Sequence, residues 1–277
     1  MVRHLRGLRH VIGWNRIANA FVGNTKGGFQ INNDGIWFSG NLGSYIERQC
    51  YLFGGYEQDQ INLFLAMIPA ARRRTMLDVG ANIGTHCLRF SQAFDAVHAF
   101  ECNPTILPLL ERNLALNEAA CVTLHPIGLG ERPGELDLYA PVCVNGGLGT
   151  FTQTDQYDRP SVKLATVRVD AADNMVPAMI NGPIDAIKCD VQGFELSVLR
   201  GARALIAEHQ PIIWIELSDE VAKDGDAVQE MLEILPVGAR FLRFADEIRF
   251  GVRHATLVAT DPAALSGGDY VIVPDGA

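Results

Sequence analysis

Thr75-Met76-Leu77-Asp78-Val79-Gly80-Ala81-Asn82-Ile83-Gly84-Thr85-His86 reads as a short buried strand, a tight glycine turn and the start of a helix. Such a turn lets backbone N–H groups approach a ligand closely, and the helix N-terminus that follows favours negative charge. A second apolar run, Ala96-Val97-His98-Ala99-Phe100, ends in Glu101. A strand, glycine turn, helix and strand closing on an acid is a geometry for holding a nucleoside. The turn takes the charged or polar tail and the acid takes the ribose hydroxyls.

Three ligands compete for this turn. A phosphate-cradling loop requires Gly-x-x-x-x-Gly-Lys-Ser/Thr, and Thr85 and His86 stand where the glycine and lysine belong. A dinucleotide fold prefers Gly-x-Gly-x-x-Gly, but here the second position is Asn82 and the third is Thr85. S-adenosylmethionine carries an amino acid tail in place of a pyrophosphate, so a shorter glycine turn suffices. Asp78 and Asn82 supply an acid and an amide to meet that tail, and Glu101 accepts two ribose hydrogen bonds at once.

Around this unit the alternation of strands and helices continues. The pattern predicts a helix over residues 83–93 and a second over 103–117, with Asn103 as N-cap and Pro104 at the first helical position. Pro108 is expected to bend that helix or delay its start. A strand over 121–124 follows, then an alternating pair over 135–139 and 161–169. Between the paired segments lies a glycine-rich loop, Asn145-Gly146-Gly147-Leu148-Gly149-Thr150, read either as a substrate loop or as a mobile hairpin tip. A strand over 185–190, a helix over 194–207, a strand over 211–216 and a helix over 227–235 come next. Three short strand-like runs, 241–244, 254–258 and 270–273, close the chain. Repeated βα units imply an open, mostly parallel sheet with a mixed edge.

Upstream, residues 29–38 read as a β-hairpin turning at Asn32-Asn33-Asp34-Gly35, and 58–68 as a helix with Ile61, Phe64, Leu65 and Ile68 on one face. We therefore divide the chain into an extension over 1–70 (basic helix, hairpin, helix) and a cofactor-binding domain over 71–277. A weak apolar rhythm at Leu5, Leu8, Val11 and Ile12 suggests the helix of the basic arm.

The chain has 277 residues, 48% of them hydrophobic, and a formal net charge of −9. An acidic balance argues against nucleic acid as the main partner. Arg3, Arg6, Arg9, Arg16 and Lys26 oppose it locally and read as a solvated arm, with a lipid- or partner-binding helix as the alternative. Six scattered cysteines without a Cys-x-x-Cys pair read as free thiols in a reducing compartment. With neither a spanning run nor a secretory signal, the expected location is the cytoplasm.

Four ordered segments carry a resemblance. They are Leu77-Asp78-Val79-Gly80-Ala81-Asn82-Ile83-Gly84, Ala99-Phe100-Glu101-Cys102-Asn103-Pro104, Ile187-Lys188-Cys189-Asp190-Val191-Gln192-Gly193-Phe194-Glu195-Leu196 and Val198-Leu199-Arg200-Gly201-Ala202. Together with Gly55-Tyr56-Glu57 and Ile215-Glu216, this order is similar to the signature of the FkbM family of S-adenosylmethionine-dependent methyltransferases. The resemblance implies a class I methyltransferase (Rossmann-like) α/β fold, a seven-stranded, mostly parallel sheet whose last strand is antiparallel. It also implies O-methylation of a small molecule or sugar, with S-adenosylhomocysteine as product. One departure is Gln192, where the family usually has Glu.

On this reading Asp78, Gly80, Asn82 and Gly84 seat the methionine tail, Glu101 and Asn103 the ribose side, and Gly128 and Leu129 the adenine. Asp190 also faces the cofactor. Asp190, Lys188, Glu216 and Glu195 are the candidates for the chemistry. Asp190 is the expected base, with Lys188 keeping it charged from the same side of the strand. A structural ion pair, and for Glu195 a helix-dipole role, are the alternatives. Asp190 and Glu216 as ligands of a divalent metal form a minority hypothesis, since two carboxylates are a thin site. His86, His98, His125 and His209 show no ligand spacing. Tyr56 and Glu57 either cap the cofactor pocket or make a domain contact. A dinucleotide oxidoreductase using NAD(P) and a non-catalytic binding protein are the competing functions, and oligomeric state is open.

Overall fold

The computed structural model describes residues 8–22, 25, 27–141, 149–151 and 160–276. Its elements run α1 (Trp14–Val22), β1 (Gly28–Asn33), β2 (Ile36–Asn41), α2 (Tyr45–Phe53), α3 (Gln58–Met67), β3 (Thr75–Val79), α4 (Cys87–Phe90), β4 (Ala96–Phe100) and α5 (Leu107–Leu116). Then come β5 (Val122–His125), β6 (Gly128–Leu129), β7 (Gly134–Pro141), β8 (Ser161–Asp170), α6 (Ala172–Met179), β9 (Ala186–Cys189), α7 (Glu195–Arg200) and α8 (Arg203–His209). The chain ends β10 (Ile212–Leu217), α9 (Asp219–Lys223), α10 (Gly225–Ile234), β11 (Arg240–Arg249), β12 (Val252–Thr260) and β13 (Gly268–Val273).

The main sheet has eight strands in the order β12-β11-β13-β10-β9-β3-β4-β5. Neighbours from β10 to β5 are parallel, and β13 runs antiparallel to β10. The α/β class and the antiparallel strand beside β10 agree with expectation. The count does not: β12 pairs with β11 as an added edge hairpin, giving eight strands where seven were implied. The alternating pair β7 and β8 forms as expected, but with β6 it makes a separate three-stranded sheet.

Strand β3 is buried along its whole length, as a central strand covered on both faces must be. Its alternate side chains feed two cores. Leu77 and Val79 join Ile187, Ile213 and Ile215 under α6, α7, α8 and α10. Met76 joins Ala186, Trp214 and Val97 under the hairpin, α3 and α4. Ile36, Phe38, Ile61, Phe64 and Ile68 belong to that second core, so the extension shares its apolar interior with the sheet.

Several helices differ from expectation, each for a local reason. The helix expected over 83–93 is regular only over Cys87–Phe90, because Asn82 at φ 51° and Gly84 at φ 91° hold a left-handed turn before it. The helix expected from Asn103 begins at Leu107, with Pro108 taking a first-turn place where a missing N–H costs nothing. Asn103 instead closes a turn, its Oδ1 accepting from Thr105 N at 3.0 Å. The helix expected over 194–207 is two, broken at Gly201. A Cβ at Gly201 would stand 1.9 Å from the Gly130 carbonyl oxygen, so the backbones meet there. Helix α6 carries apolar residues at helical spacing, Ala172, Met175, Val176 and Met179, but Pro177 stands inside it and obscures the pattern, while α9 is too short for a period to show. The arm's helix lies at Trp14–Val22, after the apolar rhythm; Val11 bridges Val252 instead. Arg9 and His10 both reach Asp59, at 3.0 and 3.3 Å, so this part of the arm is docked rather than solvated. Arg3, Arg6, Lys26 and most of the glycine-rich loop lie outside the described residues.

Candidate active site

A cavity of about 420 Å³ opens at the C-terminal ends of β3, β4, β9 and β10, where ligands bind in open α/β sheets. Gly80 brings its walls together. At φ 84° a Cβ there would lie 1.9 Å from the Asp190 carbonyl oxygen, so only glycine lets the tip of β3 touch the tip of β9. The Gly80 and Ala81 N–H groups both donate to the Phe100 carbonyl, each at 3.0 Å. The turn is thereby tied to β4.

Glu101 sits where β4 ends. Its Oε2 accepts from Asn82 N at 2.9 Å and its Oε1 from Asn103 N at 2.7 Å. Burial pushes its carboxyl up, and these N–H groups oppose the shift. A carboxylate offers about four acceptor directions. The backbone uses one on each oxygen and fixes the orientation, leaving the others for a pair of vicinal hydroxyls. Asn103, Gly128, Leu129, Cys102 and Phe151 line the same end. Phe151 packs on Phe194 with ring centroids 4.8 Å apart. This end is a slot for a flat, mostly apolar group next to a sugar.

The opposite end is polar. Asp190 receives Lys188 Nζ at 3.0 Å on Oδ2 and Gln192 Nε2 at 3.0 Å on Oδ1. Gln192 also donates to Glu216 Oε2 at 3.1 Å, so the residue replacing the family's Glu bridges two acids with one amide. Burial alone would raise Asp190, but Lys188 and the hydrogen bonds from Glu216 and Gln192 hold it below the usual carboxylate range. Burial and then the Asp190 charge push Glu216 up to about 9. Stabilising the Asp190 anion in this way lowers its proton affinity. The two carboxyls proposed as metal ligands share the Gln192 amide, and no cluster of three ligating residues exists among the described residues.

Other expected residues stand behind the wall. Lys188 is fully buried beneath Asp190. Asp78 pairs with Lys188 in register on the neighbouring strand. Both its oxygens are buried without a hydrogen bond, and burial pushes its carboxyl up. It supports Lys188 from below and does not line the cavity. Gly84 faces α5, where a Cβ would meet Leu110 at 2.9 Å. Glu195 Oε1 accepts from Val191 N at 3.1 Å and Gly193 N at 3.0 Å, and so shapes the 191–193 turn. Its alternative reading as a structural helix-start acid fits better than chemistry. The expected site thus divides: Gly80, Asn82, Glu101, Asn103, Gly128, Leu129, Asp190 and Glu216 meet at the cavity, while Asp78, Gly84, Lys188 and Glu195 do not.

Asp269 escaped the sequence reading. It opens β13 opposite Glu216, accepts from Trp214 Nε1 at 2.9 Å and lines the cavity. Burial, then Glu57, push it up to about 6. An acid opening an otherwise apolar final strand was the available signal. Tyr56 and Glu57 also line the cavity, as a pocket cap would. His98 and His125 lie apart from it, hydrogen-bonded at 2.9 Å and stacked.

The fold is that of an α/β protein of the class I methyltransferase type, with its cavity at the strand tips. Residues 78–244 match the model of the methyltransferase FkbM domain, and the chain belongs to that family. It is similar to the hexuronic acid methyltransferase AglP of Haloferax volcanii, 32% identical over 52% of this chain and 56% of that protein. Methyltransferase 1 of Beauveria bassiana is 29% identical over 50% of this chain and 61% of its own length. The chain thus spans little more than half the length of these relatives. Among solved structures it is similar to the FkbM methyltransferase of Methylobacillus flagellatus KT. That likeness has 21% identity and a TM-score of 0.44, covering 73% of this chain and 44% of that one.

Proposed function

We propose that the protein transfers the methyl group of S-adenosylmethionine to a hydroxyl of a small molecule or sugar. The observation that carries this is Glu101, held by the Asn82 and Asn103 N–H groups with acceptor capacity left over, between a glycine turn and an apolar slot. That donor and acceptor set fits a nucleoside with vicinal ribose hydroxyls. The family of the chain supports a methyl donor, and the AglP name supports a sugar acceptor.

When bound, the sulfonium supplies an electrophilic methyl group. The chain's own work is to align the acceptor and exclude water. Asp190, held as an anion by Lys188 and Gln192, offers negative charge to a cationic donor. A cytoplasmic location and a partner other than nucleic acid belong to this reading. No helix among the described residues is long and apolar enough to cross a membrane.

Calorimetry tests the reading. S-adenosylhomocysteine is expected to bind in the micromolar range while NAD(P) does not; the opposite pattern would favour an oxidoreductase. A p-nitrophenyl hexuronide incubated with methyl-labelled S-adenosylmethionine checks the sugar assignment by label on the glycoside.

A further inference from the structure

One wall of the cavity comes from outside the strand tips. Tyr56 and Glu57 precede α3, and both line the cavity together with Asp190, Glu216 and Asp269. Glu57 has φ 52°, ψ 32°, a left-handed conformation that a side-chain-bearing residue keeps only where its surroundings impose it. Here the surroundings include His86. Its Nε2 lies 3.1 Å from Glu57 Oε2, and its Nδ1 lies 3.2 Å from Thr85 Oγ1. The imidazole is 5% exposed. It stands edge-on to Trp214, with ring centroids 5.2 Å apart, and to Tyr56 at 6.3 Å. With both nitrogens engaged and aromatic rings around it, the imidazole has one orientation, and it imposes one on Glu57.

Among the described residues, the other acids that line the cavity have partners elsewhere, Glu47 accepting from the Asn41 N–H. Asp190 accepts from Lys188 and Gln192, and Glu216 accepts from Gln192. Asp269 is held by the Trp214 indole, and Glu101 by two backbone N–H groups at the nucleoside end. Among the described acids of the cavity, Glu57 is the one whose carboxylate pairs with a buried imidazole, the arrangement that keeps a base oriented toward its proton.

We propose that Glu57 is the residue that takes the proton from the acceptor hydroxyl, and that His86 is its positioning residue. This rests on the methyl-transfer reading above. The hydroxyl oxygen forms its bond to the methyl carbon as the carbon–sulfur bond gives way, leaving that electron pair on sulfur. The Glu57 carboxylate receives the hydroxyl proton and returns it to solvent after product leaves. The N-terminal extension thereby supplies a reacting group to the site as well as a wall.

The test uses the full chain, S-adenosylhomocysteine in calorimetry, and methyl-labelled S-adenosylmethionine with an extract of the source cells as the pool of acceptors. Glu57→Gln is expected to bind S-adenosylhomocysteine within threefold of wild type and to incorporate label at least 100-fold more slowly. Glu57→Asp, which keeps a carboxylate, is expected to recover at least tenfold over Glu57→Gln. His86→Gln, which keeps an N–H donor for Glu57, is expected to retain more rate than His86→Phe at equal affinity. Labelling by Glu57→Gln at the wild-type rate would overturn the proposal, as would a loss of S-adenosylhomocysteine affinity matching the loss of rate. Failure of the wild type itself to bind S-adenosylhomocysteine would instead bring down the methyl-transfer reading.

Discussion

Two residues set the nucleoside end of the site. Gly80 tolerates no Cβ, because the Asp190 backbone occupies that space and its φ is positive. Gly80→Ala is expected to cost about 2–4 kcal/mol in urea unfolding, since strain and a backbone clash act together. Glu101 acts by charge and by direction. Glu101→Ala removes a charged acceptor and strands the Asn82 and Asn103 N–H groups, so S-adenosylhomocysteine affinity is expected to fall about 10- to 100-fold. An unchanged affinity in calorimetry would exclude Glu101 as a ribose ligand. Both residues were legible because a glycine turn and an acid at a strand end leave a pattern in the chain. Asp78 and Lys188 were legible as polar residues in apolar strands. Their depth was not, since pattern alone does not say whether a strand end lines a cavity or lies beneath it.

At the scale of elements, strands were read more truly than helices. Runs such as Thr75–Val79 are short, apolar and buried on both faces, so period and length decide them. Helices 4 to 8 residues long, as α4, α7 and α9 are or nearly are, lack the turns needed for a period to show. Their ends are set by tertiary contacts, such as Gly201 against Gly130. The joining of extension to sheet was equally hidden. Asn113 on α5 is fully buried. Its Oδ1 accepts from Ser39 N at 2.8 Å and Ser39 Oγ at 3.0 Å, and its Nδ2 donates to the Ile83 carbonyl at 2.9 Å. One amide thus fastens β2 and the glycine turn to α5. Asn113→Ala leaves buried donors and an acceptor without partners and is expected to destabilise by about 2–4 kcal/mol in chemical denaturation. Asn113→Asp, which keeps only the acceptor, should also lose stability, through the Ile83 carbonyl. A cost under 0.5 kcal/mol for the Ala variant would mean that the apolar core alone holds the hairpin.

Across the whole molecule, the acids gathered at one end of the sheet make stability depend on pH. Glu195 gives the cleanest case because its surroundings are fixed by the 191–193 turn. Burial lifts it from an ordinary value of 4.5 to about 7 in the folded chain. Its protonated form is therefore the one the fold accommodates. The stability it contributes is fully present below pH 4.5 and is lost as pH rises toward 7, where the unfolded chain ionises first. At about 1.4 kcal/mol per pH unit, the loss between pH 4.5 and 7 is ~3 kcal/mol. Glu216 and Asp269 are raised as well, while Asp190 is lowered and opposes them. Glu195 also helps to raise Glu216, so removing its charge relieves Glu216 in the same direction. The Gln variant keeps an acceptor for the Val191 and Gly193 N–H groups but cannot ionise. The stability difference between wild type and Glu195→Gln, measured by urea unfolding at pH 5 and pH 8, is expected to shift by about 2–3 kcal/mol in favour of the variant at the higher pH. Parallel pH profiles for the two proteins would show that Glu195 ionises in the folded chain as it does in the unfolded one, and that the pH dependence arises at the Asp190–Glu216 pair instead.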